Sequence, residues 1–122
     1  MAVVSLKYYK KEGKKTLEIT EILGKEEFYK ELSSEKPVIV DFKATWCAPC
    51  KMQTEVLKDF ATTVGDKVKI LKIDVDENSE IAEQYKIDAV PTLLLFNNGQ
   101  VEEKSVGLTS ESMLSKMVIK YL

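Results

Sequence analysis

Val38, Ile39 and Val40 follow one another with no polar residue between them, in the run PVIVDF from Pro37 to Phe42. A strand with one face in water alternates apolar and polar side chains; one without that alternation is covered on both faces, as in sheets flanked by helices. Downstream the spacing changes. Met52, Val56, Leu57, Phe60, Ala61 and Val64 recur at three- and four-residue intervals, which predicts an amphipathic helix from about Pro49 to Val64, stopped at Gly65. A buried strand feeding an amphipathic helix is the first half of a parallel crossover and requires a further strand to receive it.

VKILKIDV supplies that strand. Before PVIVDF, Lys25 to Leu32 reads as a short helix through Phe28, Tyr29 and Leu32, ended by Pro37. Ahead of it, an apolar group (Val3, Val4, Leu6, Tyr8, Tyr9) and TLEIT (Thr16 to Thr20) read as two β-segments around a turn at Gly13. After VKILKIDV, Asn78 is placed to cap a short helix containing Ile81, Ala82 and Tyr85. TLLLF and QVEEKSV form a hairpin through Asn97-Asn98-Gly99. Thr109 or Ser110 caps a last helix with an inner face of Met113, Leu114, Met117, Val118 and Tyr121. The expected class is α/β: a mixed central sheet with helices on both faces. At 122 residues the chain is a single domain over 16–122, preceded by an extension over 1–15 read as an added edge strand.

Charge narrows the functions. Lys and Arg total 18 and Asp and Glu 20, interleaved, for a net charge of -2, so no single-sign field draws nucleic acid or a membrane surface. The lysine-rich stretch YYKKEGKK is interrupted by Glu12 and Gly13 and reads as a solvated turn. No apolar run approaches the ~18 residues that span a bilayer. The N-terminal apolar run is too short for a secretion signal, so the chain is expected in the cytoplasm, as a monomer.

The only cysteines, Cys47 and Cys50, flank Ala48-Pro49 beside the only tryptophan, Trp46, and there is no histidine. A tetrahedral metal site takes four ligands, usually Cys or His, and one chain offers two; no metal is expected. A structural disulfide here would close a very short loop, where cross-linking gains least. Thiol–disulfide exchange suits the position better. Cys47 falls where a buried strand ends and a helix begins, and free N–H groups and the helix dipole there stabilise a thiolate. Pro49 is tolerated in the first turn, where no helical hydrogen bond needs its N–H. Cys50, one turn in and more buried, is placed to attack a mixed disulfide on Cys47.

VDFKATWCAPCK, then VPTLLLFNNGQ about forty residues later, then Val106-Gly107, resemble the thioredoxin family from roughly Thr16 onward. The resemblance implies the thioredoxin fold and protein-disulfide reductase activity with no bound cofactor. It implies electrons drawn from NADPH through a flavin-dependent thioredoxin reductase, and disulfide-containing proteins as substrates. Two other readings stay open. One is a thiol oxidase, isomerase or glutaredoxin-like enzyme, although CAPC lacks the aromatic second position common in glutaredoxins. The other is a non-enzymatic binding module on the same fold.

Asp41 interrupts PVIVDF. It either faces water or is buried with a raised pKa. Thioredoxins carry an aspartate at the matching place, so the resemblance implies a proton acceptor for Cys50. Pro91 is compatible with the first position of a strand; the VPT match implies a cis Val90–Pro91 bond facing the disulfide. Trp46, Ala48, Pro49, Val90, Pro91, Gly107 and Leu108 would then ring Cys47 as an apolar docking patch for an extended substrate chain.

The chain also departs from the family pattern. Ala48 replaces a glycine. Glu55 replaces a helix-kinking proline, so a straighter helix is expected. Lys43 replaces an aromatic residue, and Ile70 stands where some members have a lysine beside the buried carboxyl; Lys72 is the candidate substitute.

Overall fold

The computed structural model describes residues 19–122. The expected extension over residues 1–15, and the proposed domain start at Thr16, lie outside the described residues. Five strands form one sheet: β1 (Ile19–Ile22), β2 (Val38–Lys43), β3 (Lys69–Asp74), β4 (Thr92–Asn97) and β5 (Gln100–Val106), in the order β1-β3-β2-β4-β5. The helices are α1 (Lys25–Leu32), α2 (Ala48–Val64), α3 (Ser79–Gln84) and α4 (Glu111–Val118), with short 3-10 turns at Gly65–Lys67 and Ile119–Tyr121.

Strand β2 occupies the centre, parallel to β3 and antiparallel to β4, which accounts for its unbroken apolar run. Its side chains divide by parity. Val38, Val40 and Phe42 join Phe28 and Leu32 of α1 and Ile81 of α3 in one core layer. Ile39 points the other way, into a layer made with Leu57 and Phe60 of α2 and Leu114 of α4. Asp41 shares the parity of Ile39 and so lies on the face that α2 covers. Each fully buried Phe or Leu in these layers contributes roughly 1.5–3 kcal/mol of transfer free energy, and together they fix α2 against the end of β2.

The chain reverses as its turn residues dictate. Asn98 and Gly99, at φ 54° and 79°, make a two-residue turn joining the Asn97–Gln100 pair of β4 and β5. Positive φ at both positions is the requirement of that hairpin type. Gly65 ends α2 at φ 61°, with its N–H donating to the Ala61 carbonyl.

Several expected placements are corrected. Met52 is exposed, because the buried face of α2 runs through Cys50, Gln53, Leu57, Phe60 and Ala61. Met52 lies two residues from Cys50, roughly 200° around the helix. Met113 is likewise exposed, and α4 buries Leu114, Met117 and Val118. Asn78 precedes α3 without capping it; its side-chain amide donates to the Asp74 carbonyl instead. Tyr85 falls just past α3 and packs edge-on against Phe96, ring centroids 5.4 Å apart. Of the two candidates for capping α4, Ser110 does so, accepting the Met113 N–H at 3.2 Å.

Candidate active site

Cys47 is the N-cap of α2, extended at φ -99° and ψ 109°, at the end of the loop leaving β2. Its sulfur accepts the Cys50 N–H at 3.2 Å. A helix start leaves its first N–H groups without intrahelical partners, and here one of them is aimed at the Cys47 sulfur. Pro49 lies within the first turn, and no acidic residue there opposes an anion. Cys47 and Cys50 are joined as a disulfide, with Cα atoms 5.3 Å apart. Their exposures are 4% and 2%, Cys50 being the less accessible.

The loops around the pair bring the rest of the expected patch together. Val75 and Val90 pack against Ala44, Cys47 and Cys50. The Val90–Pro91 peptide bond is cis. The Gly107 N–H donates to the Pro91 carbonyl at 2.8 Å, tying the loop before β4 to the loop after β5. Trp46 is 70% exposed, and Ala48, Pro49 and Leu108 are also exposed, whereas Pro91 is buried.

Trp46 is nevertheless held. Its indole N–H donates to the Asp76 carboxylate at 2.9 Å. The Asp76 and Glu77 N–H groups in turn donate to Oδ1 of buried Asp74, at 2.8 and 3.1 Å. Behind Asp74, Lys43 places its ammonium 3.9 Å from Oδ2 and 3.2 Å from the Glu21 carboxylate. The lysine that departs from the family pattern thus anchors the turn that orients Trp46. Asp74 and Asp76 escape sequence reasoning, because DVDEN resembles any solvated acidic turn.

Asp41 does not face water: it is 0% exposed, and among the described residues no donor reaches either carboxyl oxygen. Burial raises its pKa to about 7; Lys72 and then Lys43 pull it down, and Glu21 adds slightly to the rise. Lys72 is the register partner of Asp41, whereas Ile70 pairs with Ile39. A carboxyl poised near neutrality can both take and give a proton under ordinary conditions.

Gln53 escapes it too. It is fully buried on α2 and bonded to the main chain of Thr109. Its spacing of three from Cys50 and four from Leu57 is the available signal; its polarity hides it.

A family model for thioredoxin matches residues 19–120. Thioredoxin of Bacillus subtilis is 48% identical over 90 residues, which cover 74% of this chain and 86% of that protein. Thioredoxin 1 of a Nostoc species is 41% identical over 91 residues, covering 75% and 85%. Among solved structures, a mutant thioredoxin from Halobacterium salinarum superposes with a TM-score of 0.80 at 35% identity, covering 89% of this chain and 96% of that one. Mitochondrial thioredoxin 3 of Saccharomyces cerevisiae, in its oxidised form, gives a TM-score of 0.76 at 32% identity, covering 84% and 94%. With its cysteine pair bridged at the start of α2 and this similarity across most of its length, the chain belongs to the thioredoxin family and is a thiol–disulfide oxidoreductase that reduces protein disulfides.

Proposed function

We propose that Cys47 is the attacking residue and Cys50 the resolving one. The observation that carries this is the Cys50 N–H directed at the Cys47 sulfur from the first turn of α2. In the reduced protein that donor and the helix dipole favour the Cys47 thiolate. The thiolate attacks a substrate disulfide, forming a mixed disulfide and expelling one substrate thiolate. Cys50, deprotonated, then attacks the Cys47 sulfur and expels the second. Two electrons pass to the substrate, and the Cys47–Cys50 disulfide is the product. Asp41 takes the Cys50 proton, for which its burial on the face under α2 and its pKa of about 7 suit it.

Trp46, Ala48, Pro49, Val90, Pro91, Gly107 and Leu108 form the docking rim. Its mostly apolar character suits brief contact with varied extended chains. Reducing equivalents come from NADPH through a flavin-dependent thioredoxin reductase. The protein works as a monomer in the cytoplasm, where a reducing environment keeps the dithiol available.

Cys50→Ser, mixed with a protein disulfide, should accumulate a covalent adduct that dithiothreitol releases. Cys47→Ser should give no adduct and no turnover. An adduct formed equally by Cys47→Ser would reverse the assignment of the two cysteines.

A further inference from the structure

Gln53 lies one turn beyond Cys50 and is 0% exposed. Both ends of its amide meet one residue. Oε1 accepts the Thr109 N–H at 2.7 Å, and Nε2 donates to the Thr109 carbonyl at 3.0 Å. The opposite orientation of the amide would set donor against donor and acceptor against acceptor, so the bonding pattern fixes it. Two bonds to the main chain of one residue define both where that residue sits and which way the chain runs through it.

Thr109 continues the link. Its hydroxyl donates to the Gly107 carbonyl at 3.1 Å and lies 2.7 Å from the Ser105 hydroxyl. Gly107, at φ 90°, donates its N–H to the Pro91 carbonyl. The segment Gly107-Leu108-Thr109 is therefore held to α2 at one end and to the loop before β4 at the other. Leu108 stands exposed between these two fixed points. On the buried face of an amphipathic helix an apolar side chain would pack without polar cost. A glutamine there matches the buried main-chain groups of Thr109, which have no other partner among the described residues.

We propose that Gln53 is a positioning residue for protein substrates. It holds Gly107 and Leu108 in place on the helix that carries Cys47 and Cys50, and so serves docking of the target chain rather than thiol chemistry. This rests on the reading of Gly107 and Leu108 as part of the docking rim. A purely structural glutamine would affect stability alone, or would slow every disulfide alike.

The test uses the reduced, desalted protein, mixed with insulin at increasing concentration and separately with the small disulfide 5,5′-dithiobis(2-nitrobenzoate). Oxidation is followed by Trp46 fluorescence. For Gln53→Met, of similar length but without either hydrogen bond to Thr109, the half-saturating insulin concentration should rise about tenfold, while the limiting rate and the small-disulfide rate stay within about twofold. An equal slowing of both disulfides, or no change for insulin, overturns the proposal.

Leu108→Asp separates the two readings. If it weakens insulin binding while Gln53→Met does not, the positioning role alone fails; if it too leaves insulin unaffected, the docking rim fails and the positioning role with it. Should Gln53→Met not fold, Thr109→Val, which removes the hydroxyl bond to the Gly107 carbonyl, should raise the half-saturating insulin concentration and spare the small-disulfide rate. An unchanged insulin response contradicts the proposal. Hydrogen exchange of the unaltered protein tests the anchor itself. The Thr109 amide should be protected to the level of Leu57 in α2, and exchange at the rate of an exposed loop amide contradicts the proposal.

Discussion

Lys72 is the register partner of Asp41 across the parallel β2–β3 ladder, and its ammonium is the largest influence opposing the burial that raises the Asp41 pKa. Where some family members carry a lysine, this chain has Ile70, paired with Ile39. The compensating charge has moved along the same strand face by two residues. Lys72→Met should therefore raise the Asp41 pKa further above about 7. Titration of the Asp41 carboxyl carbon by NMR checks this, and an unchanged midpoint would remove Lys72 from the account.

Stability should depend on pH through Asp41, with a definite sign. Its pKa is raised from 3.8 to about 7 on folding, so between these values the folded state binds the extra proton. Asp41 leaves stability undiminished below pH about 4, lowers it progressively as pH rises towards about 7, and imposes its full cost above that. About three pH units correspond to roughly 4 kcal/mol at 1.36 kcal/mol each. Asp41→Asn should accordingly exceed the parent in stability at pH 8 by about 2–4 kcal/mol, with most of that difference gone at pH 4. Urea unfolding at the two pH values measures it; a difference independent of pH contradicts the burial argument.

The same substitution should slow resolution of the mixed disulfide, because Asn cannot accept the Cys50 proton. A loss of about tenfold to a hundredfold at pH 7 is the expected scale of a general base removed. Stopped-flow release of the second substrate thiol reads this step. First attack by Cys47 should be much less affected, and equal slowing of both steps would deny Asp41 its role.

Lys43→Met removes the cation between Glu21 and Asp74. Asp74 is buried, and among the described residues its carboxylate keeps only its bonds to the main-chain N–H groups of Asp76 and Glu77. The expected cost is about 1–3 kcal/mol, since a largely buried carboxylate loses its counter-charge. Trp46 emission should shift as the Asp76 turn loosens. A variant with the parent's urea midpoint and emission would show that Lys43 merely covers the sheet end.

Gly65→Ala isolates a backbone effect. Gly65 has φ 61°, and nothing lies within 4 Å of the position a Cβ would take. The whole cost therefore comes from placing an L-residue at φ 61° and ψ -136°, outside the left-handed helical well and open essentially to glycine alone, about 1–3 kcal/mol. Thermal unfolding measures it, and a neutral substitution would mean that α2 can end differently.

What could be read from the residues, and what could not, divides by the range of the interaction. The strand at Val38–Phe42, helix α1 and the Asn98-Gly99 turn are written in local periodicity and turn chemistry, and each appears where expected. Cys47 and Cys50 are legible because a strand–CxxC–helix junction has few uses. Met52 and Met113 are misplaced by periodicity because several phases of an amphipathic helix fit its apolar residues, and only packing against the sheet selects one. Gln53, Asp74 and Asp76 are invisible as site residues because their partners, Thr109, Lys43 and Trp46, are distant in sequence. A polar side chain gives no advance sign that a buried main-chain group awaits it.

The equilibrium reduction potential of Cys47/Cys50, read by Trp46 fluorescence in dithiothreitol and glutathione buffers, bears on all of this at once. A value near about -270 mV, the figure established for thioredoxins, is expected of a protein-disulfide reductase. A value between about -180 and -120 mV, the range of isomerases and oxidants, would contradict it.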